Sequence, residues 1–297
     1  MISVIIPVYN RAHVIKRAIE SVLSQTFNDF ELIIVNDCST DNSIEIIEGF
    51  KDERIRCFQT SKNMGAAAAR NLGIKNSRGS IISFLDSDDY YEPEILKISY
   101  DLLSKSRNET GFMWTGCRNY VNNKNFEFCW EPLYNESFYI TFLTSLHIGT
   151  NSGISVKKSV FEKCGYFSET LPAAEDTDFF LRITQHYGYV FSKKILINID
   201  KKGQDRLSKD FKKIAIAYNI FIKYHFSEID KKEVLQKKYY YKLMWLNYHL
   251  GDNLTADKYY EKLKKIKNIG MKVFLIHFIF KLFPFKIAVN LHKLMSR

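Results

Sequence analysis

The stretch Phe84-Leu85-Asp86-Ser87-Asp88-Asp89 carries the strongest single signal in this sequence. An apolar run from Ser80 to Leu85, typical of a buried strand, leads directly into three carboxylates within four residues. The carboxyl ends of strands are where an open α/β sheet presents its ligands. Carboxylates so close together repel one another unless a cation or several donors compensate them. The stretch therefore predicts a divalent-metal site that holds a phosphorylated substrate.

The three acids also have a structural interpretation, because carboxylates cap and stabilise helix N-termini. A helix is predicted from Glu92, just downstream, with Pro93 in its first turn. Capping could account for Asp89 but accounts poorly for Asp86 and Asp88. We therefore assign Asp86 and Asp88 to metal and nucleotide binding, and Asp89 stays open between the two roles.

Upstream of these acids, short apolar runs alternate with segments of helical spacing. The predicted strands are 3–8, 30–35 and 55–58, and the predicted helices are 12–25, 43–50 and 66–74. This alternation predicts βαβ units, a parallel sheet and right-handed crossovers. Polar residues follow the first, second and fourth strands at Tyr9-Asn10, Asp37 and Asp86, so we expect them along one edge of the sheet.

The charge is distributed unevenly along the 297 residues. Residues 1–200 contain 21 Lys and Arg against 25 Asp and Glu, whereas residues 201–297 contain 22 against 8. The basic second part predicts contact with something anionic. Nucleic acid is not expected as the partner, because no zinc motif, RNP-like segment or helix-turn-helix pattern occurs.

The basic part reads as helical, and its last segment, residues 271–297, is Phe-rich, Lys-bearing and interrupted by Pro284. Its longest charge-free apolar run, 273–280, is too short to span a bilayer. The segment is typical of a helix that lies on an anionic membrane surface. The alternative is a helical subdomain that buries its apolar stripe on the first domain or on a second copy, so a homo-oligomer stays open.

The cysteines and the N-terminus favour the cytoplasm. The five cysteines are odd in number, widely spaced and without a CxxC pair, which indicates neither a disulfide framework nor a zinc site. Free thiols fit a reducing compartment. The chain enters a strand directly, with no signal-peptide pattern before it.

Four motifs, in this order, resemble those of family 2 glycosyltransferases of the GT-A fold. They are Ser-Val-Ile-Ile-Pro-Val-Tyr-Asn-Arg (3–11), Ile-Ile-Val-Asn-Asp-Cys-Ser-Thr-Asp (33–41), Asn63-x-Gly65 with Ala68-Ala69-Arg70-Asn71, and Phe-Leu-Asp-Ser-Asp-Asp (84–89). The acidic segment 174–178 fits the same family. The resemblance covers about residues 1–205. It implies an α/β, Rossmann-like, mostly parallel sheet flanked by helices, with a helical, basic C-terminal region.

The resemblance also implies an activity and a domain plan. The activity is inverting transfer from a nucleotide-sugar, most often a UDP-sugar, with Mn²⁺ or Mg²⁺. The acceptor would be a glycan or lipid-linked glycan in surface polysaccharide synthesis, at the inner face of the cell membrane. We predict a catalytic domain over 1–205, with a nucleotide-sugar half (1–90) and an acceptor half (91–205), and a helical basic region over 206–297.

Carried over residue by residue, the resemblance implies a donor pocket. Pro7, Tyr9 and Asn10 would line the nucleotide pocket. Asp37 would accept the hydrogen bond of the uracil ring NH. Its alternative role is helix capping, although Ser39, Thr40 or Asp41 can fill that role.

Four further residues would complete the donor side. Arg70 and Asn71 would lie near the nucleotide and its phosphates. Asp86 would face the ribose, and Asp88 would bind the metal.

The catalytic base implied by the resemblance is Asp176. Inverting displacement needs one base to take the acceptor proton as the new bond forms. Glu175 and Asp178 could hold the acceptor or orient that base. The alternative is that these acids form the favourable first turn of a helix.

One departure from the family concerns the segment after the last strand, where many relatives carry a histidine. Here residues 201–208 keep Arg206 but contain no histidine, so a third protein ligand to the metal is in doubt. Arg206 could contact the diphosphate instead. A solvated basic loop is the alternative.

Other residues are weaker candidates for the acceptor side. The aromatic run 112–139 could face sugar rings or could pack in the core. His147, Asn151 and Ser152 precede the predicted base.

Two rival functions remain. A sugar-phosphate nucleotidyltransferase would show a glycine-rich loop after the first strand, and none is present. A non-catalytic module that binds nucleotide-sugars is separated from an enzyme only by turnover.

Overall fold

The structure is a computed structural model that describes residues 1–121, 124–131, 137–145, 151–200 and 210–295. Its strands are β1 (Ile2–Val8), β2 (Phe30–Asn36), β3 (Ile55–Gln59), β4 (Ile81–Phe84), β5 (Tyr90–Tyr91), β6 (Thr110–Val121), β7 (Lys124–Phe128), β8 (Ser155–Lys157) and β9 (Gly188–Asp200). Its helices are α1 (Ile15–Leu23), α2 (Ser43–Glu48), α3 (Ala66–Asn76), α4 (Ile95–Ser104), α5 (Phe138–Ser145), α6 (Ser159–Cys164), α7 (Glu175–Thr184), α8 (Phe211–Lys231), α9 (Glu233–Leu250), α10 (Asn253–Lys264), α11 (Met271–Leu282) and α12 (Phe285–Met295).

The strands form one sheet in the order β3-β2-β1-β4-β8-β6-β9-β5, with β7 paired to β6. The first four strands in this order are parallel, as the alternation of strands and helices predicts. Farther along, β8 runs antiparallel to both of its neighbours, whereas β6 and β9 are parallel. The α/β architecture predicted from the sequence is confirmed.

The first strands are buried because helices cover both faces of the sheet, which is the usual state of parallel strands. All seven residues of β2 are buried, and Ile2, Val4 and Ile6 of β1 are fully buried. The apolar residues of α1 recur at helical spacing and lie on its buried side. This rigid layer fixes the loops at the carboxyl ends of β1, β2 and β4.

One local prediction needs correction. The sequence predicts a helix over 156–164, but Ser155–Lys157 forms strand β8 between β4 and β6. The helix begins only at Ser159.

Of the two interpretations of the aromatic run 112–139, core packing applies to part of its described residues. Trp114 and Trp130 are buried, and the Trp114 indole donates to the Trp130 carbonyl oxygen over 2.9 Å. Among the described aromatic side chains of the run, those of Phe126 and Phe128 in β7 are 57% and 47% exposed.

The described residues divide into two compact units. One takes in Met1–Glu169 and the chain from Glu175 through β9. The other takes in Thr170–Ala174 and the helices α8 to α12.

In the described ranges, every helix is too short or too polar to cross a membrane. The five cysteines are free thiols.

Gly153 sets the approach of the chain before β8 to the end of β4. Its φ is +80°, its N–H donates to the Phe84 carbonyl oxygen over 2.9 Å, and an added Cβ would lie 2.3 Å from Ile197 Cγ1. Gly153→Ala should therefore lower the free energy of unfolding by about 2–4 kcal/mol, since overpacking adds to backbone strain. Denaturant titration would measure the loss.

The control for this prediction is Gly65→Ala. Gly65 also has positive φ, +89°, but an added Cβ meets nothing within 4 Å. The loss of stability should then come from backbone strain alone, about 1–3 kcal/mol at the φ of 89° and ψ of 165° that Gly65 adopts. Equal losses for the two variants would show that the contact with Ile197 has no energetic weight.

Candidate active site

The carboxyl ends of β1, β2 and β4 meet at one edge of the sheet. β1 lies between β2 and β4, so Asp37 and Asp86 follow strands that are about 10 Å apart, two strand spacings. The Asp37 N–H donates to the Val8 carbonyl oxygen over 2.7 Å, which joins the ends of β1 and β2. The polar residues expected along one edge are thus brought together there.

The loops after β1 and β2 are bound to each other by side chains. The Asn10 Oδ1 accepts from the Thr40 N–H over 2.7 Å, and the Ser39 Oγ accepts from the Asn10 N–H over 3.0 Å. Asn10 and Cys38 both adopt left-handed φ, 53° and 58°, which non-glycine residues rarely do and which often occurs at functional sites. Tyr9 is 42% exposed beside them, and a ligand could stack on its ring.

Asp37 is buried and holds the turn before α3. Its Oδ1 accepts from the Thr60 hydroxyl over 2.7 Å and from the Met64 N–H over 2.8 Å, and its Oδ2 accepts from the Gly65 N–H over 2.7 Å. Asp37 therefore orders the start of α3, a helix that the sequence did not connect with it. Its predicted contact with uracil stays a prediction. Because Oδ1 already accepts two hydrogen bonds, the uracil NH would have to donate to the remaining lone pair of Oδ2.

The acidic turn after β4 is cross-linked by three segments of the first unit. Asp89 is buried and accepts from the Ser152 hydroxyl over 2.5 Å and from the Asp200 N–H over 3.2 Å. Arg17 donates to the Asp88 carbonyl oxygen over 2.8 Å. Burial and the negative charges of Asp86 and Asp88 hold the pKa of Asp89 well above its usual range. The turn is thus held in place by contacts from three segments.

Arg70 connects the two acidic motifs of the chain. Its Nη2 donates to Asp86 Oδ1 over 2.7 Å, and its Nη1 donates to Glu175 Oε1 over 3.0 Å. The guanidinium is almost fully buried, and its Nε–H is buried without a hydrogen-bond partner. A buried cation with one unused donor fits a site that binds an anionic group.

Asp176 lies beside this ion pair in the first turn of α7. Removal from water and the neighbouring charge of Glu175 raise the pKa of Asp176 to about 6. Hydrogen bonding from Thr177 and the charge of Arg70 act in the opposite direction. A carboxylate with a pKa close to neutrality is suited to general base catalysis.

Two residues near these acids have structural partners. The Asn71 amide donates to the Phe167 carbonyl oxygen over 2.9 Å and to Glu169 over 2.8 Å, and its oxygen accepts from the Phe167 N–H over 3.0 Å. Asn71 therefore fastens the chain that leads toward α7, and its predicted contact with phosphates stays a prediction. Asp178 pairs with Arg182 over 2.9 Å.

The residues present fit a divalent cation bound through few protein ligands. Asp86 and Asp88 are partly exposed carboxylates on the negative turn, and carboxylate oxygens are hard ligands suited to Mg²⁺ and Mn²⁺. Among the residues that the structure describes, no group of three His, Cys, Asp or Glu is arranged to hold a metal. Mg²⁺ is commonly bound by one or two carboxylates together with substrate phosphates.

Sequence reasoning missed the residues that position the acids. Arg17 from α1, Thr60 after β3 and the hydroxyl of Ser152 all act through contacts between distant segments. The sequence predicts a role for Ser152 only on the acceptor side, and no local pattern marks Arg17 or Thr60.

Arg206 and His147 lie outside the described residues. Pro7 is paired in register with Val35 inside the sheet.

A family model described as Glycosyl transferase family 2 matches residues 3–165. The match covers more than half of the chain, and it includes the edge of the sheet described above. The chain belongs to glycosyl transferase family 2.

Curated relatives are similar over different lengths. An uncharacterized glycosyltransferase of Haemophilus influenzae is 26% identical over 298 residues, which cover 99% of each chain. The Escherichia coli UDP-Glc:alpha-D-GlcNAc-diphosphoundecaprenol beta-1,3-glucosyltransferase WfaP is 46% identical over 91 residues, which cover 31% of this chain and 36% of WfaP. The chain spans 33% to 63% of the length of several further relatives.

Two solved structures share the fold. S. aureus TarS 1-349 in complex with UDP-GlcNAc superposes with a TM-score of 0.64 at 19% identity, covering 92% of this chain and 82% of that one. The mannosyltransferase PcManGT of Pyrobaculum calidifontis, in complex with GDP-Man and Mn²⁺, gives 0.58 at 15% identity, covering 100% and 87%. The predicted GT-A fold is confirmed.

Proposed function

We propose that this chain is a metal-dependent, inverting glycosyltransferase that moves a sugar from a nucleotide-sugar to a hydroxyl of a glycan or lipid-linked glycan. A UDP-sugar is the donor that we propose. One observation carries the proposal. Arg70 joins Asp86, on the predicted donor side, to Glu175, the neighbour of the predicted base Asp176. Donor and acceptor chemistry thus have a common, buried anchor.

The proposed mechanism assigns a role to each of these groups. Transfer forms a bond between the acceptor oxygen and the anomeric carbon while the bond to the diphosphate breaks on the opposite face. Asp176, ionised at neutral pH, takes the acceptor proton. Arg70 holds Asp86 and Glu175 in place, so the carboxylates need no reorganisation during the reaction.

Asp88 would hold Mn²⁺ or Mg²⁺, and Asp86 would contact the ribose. A bound divalent cation would stabilise the negative charge that grows on the leaving diphosphate. The support from similar proteins is that TarS has been captured with UDP-GlcNAc and PcManGT with GDP-Man and Mn²⁺.

The acceptor and the location are also part of the proposal. WfaP carries a diphosphoundecaprenol acceptor in its name, which supports a lipid-linked glycan and a role in surface polysaccharide synthesis here. We place the enzyme in the cytoplasm, peripheral to the inner face of the cell membrane. The positive charge of residues 201–297 supports this placement.

The test of the proposed function is a nucleotide-sugar panel with Mn²⁺ or Mg²⁺ and lipid-linked acceptors, read by release of UDP, GDP or dTDP. We expect release with one donor class that depends on the acceptor. Binding without turnover of any donor would instead identify a non-catalytic module. A nucleotidyltransferase is disfavoured by the family match and by the absence of glycine from Pro7-Val8-Tyr9-Asn10-Arg11.

Asp88→Ala should weaken metal-dependent nucleotide binding by at least about 10–100-fold. A loss of that size is typical when a residue that only hydrogen-bonds a metal ligand is removed, so loss of the ligand itself should cost at least as much. Calorimetry of UDP binding with Mn²⁺ and with EDTA measures the effect. Asp101→Asn, on the surface of α4, is the control and should bind as the wild type does. If the affinity of Asp88→Ala matched that of the wild type under both conditions, Asp88 would not be a metal ligand.

A further inference from the structure

The second unit exposes an apolar tip between its last two helices. All residues of 281–287, the sequence Lys-Leu-Phe-Pro-Phe-Lys-Ile, are exposed, and we name this segment the Phe-Pro-Phe tip. The exposed fractions are 60% for Leu282, 44% for Phe283, 51% for Phe285 and 48% for Ile287. Contiguous exposed apolar side chains of this kind mark interaction surfaces.

The apolar surface continues along α11, which is apolar on two sides. Its inner side is buried, and Phe280 stacks on Tyr248 with ring centroids 4.8 Å apart. Its outer side exposes the side chains at positions 271, 274, 275 and 278, spaced as one helix face. The inner side already anchors the helix, so folding of the unit does not account for the outer side.

The positive charge of the sequence around the tip indicates which kind of partner it binds. Residues 262–297 contain nine Lys and Arg and no Asp or Glu. Lys272 and Lys286 are exposed next to the apolar side chains, whereas Lys281 lies 2.5 Å from Asp257. A second copy would present the same positive charge and would be repelled. An anionic lipid surface offers both an apolar layer and the opposite charge.

We propose that the Phe-Pro-Phe tip and the outer side of α11 dock the chain on an anionic lipid bilayer. Phe283 and Phe285 enter the boundary between headgroups and acyl chains, while Lys272 and Lys286 extend to the lipid phosphates. This proposal rests on the membrane placement in the proposed function and deepens it by naming the docking surface and the class of lipid. It is tested separately from sugar transfer, since no sugar donor takes part in docking.

The experiment is vesicle flotation of the full chain without any nucleotide-sugar. We expect the wild type to bind vesicles that contain about a third phosphatidylglycerol, to bind pure phosphatidylcholine far less, and to dissociate in high salt as screening removes the attraction. The double variant Phe283→Ser/Phe285→Ser should bind the anionic vesicles about tenfold more weakly or worse. Circular dichroism verifies that the variant is folded.

Two further variants make the test specific. Phe126→Ser/Phe128→Ser is the matched control, because these β7 side chains are 57% and 47% exposed and lie in the first unit. It should float as the wild type does. Lys272→Glu/Lys286→Glu keeps the apolar tip and should lose anionic selectivity, also by about tenfold.

Three outcomes would overturn the proposal. The first is equal flotation of the wild type and the Phe283→Ser/Phe285→Ser variant. The second is flotation that ignores lipid charge. The third is a dimer in sedimentation analysis that the same variant dissolves, which would identify a second copy as the occupant of the surface.

Discussion

Replacing Asp176 by asparagine should lower the rate of sugar transfer by about 10²–10⁴-fold, the usual contribution of a positioned general base. Asparagine has nearly the same shape and can still accept the Thr177 N–H, but it cannot take a proton. Donor binding should therefore persist. Turnover and UDP affinity, measured on the same preparation, would separate the two effects. Turnover equal to that of the wild type would exclude Asp176 as the base.

The pH dependence of transfer offers a second readout. The pKa of Asp176 is raised to about 6, so transfer should rise with pH through about 6 and level off above 7. Glu175 is the charged neighbour that raises this pKa, and Glu175→Gln should shift the rise to lower pH. Asp101→Asn, on the surface of α4, is the control and should leave the profile unchanged.

Asp176→Asn, which should lower the rate of transfer, should increase the stability of the fold. A carboxyl group whose pKa is raised on folding destabilises the native state increasingly as the pH rises from its unfolded pKa to its folded pKa, and fully above the folded pKa. Asp176→Asn should then stabilise the chain by about 1–3 kcal/mol at pH 8 and have no such effect at about pH 3 and below, where the carboxyl group is protonated in both states. Thermal melts at the two pH values test this.

Replacing Arg70 by methionine should destabilise the first unit by about 3–5 kcal/mol, because loss of one partner leaves buried charges uncompensated. Asp86 and Glu175 would face each other without the guanidinium between them. Arg70→Lys keeps the charge but cannot reach both carboxylates with a planar fork, so it should recover only part of the loss. Urea titration of the full chain measures both.

The matched control is Arg54→Met. Arg54 and Asp52 form a pair of the same 2.7 Å length, but their side chains are 29% and 24% exposed, whereas Arg70 is 5% exposed. Water screens the partly exposed pair, which should contribute about 1 kcal/mol. If Arg70→Met were as mild as Arg54→Met, the link between the two acidic motifs would have no structural weight.

The strands of the first half could be predicted because local patterns determine them. Buried parallel strands read as apolar runs, and Asn36-Asp37 or Asp86 ends each run. The edge that collects Tyr9, Asp37 and Asp86 follows from the alternation of strands and helices alone.

The contacts of the site could not be predicted, because they join segments that no local pattern connects. Arg70 and Glu175 are 105 residues apart, and Asn71 and Glu169 are 98 apart. Asp37 shows the limit most clearly. Its sequence neighbours suggested capping of α2, but the fold brings the start of α3 to it instead.

The two salt bridges of Arg70 also limit how this chain can be recombined with related glycosyltransferases. A chimera cut between residues 90 and 91 would separate the guanidinium from one of its two counter-ions. Exchange of donor preference by swapping N-terminal segments would then succeed only with a recipient that carries an acid where Glu175 stands.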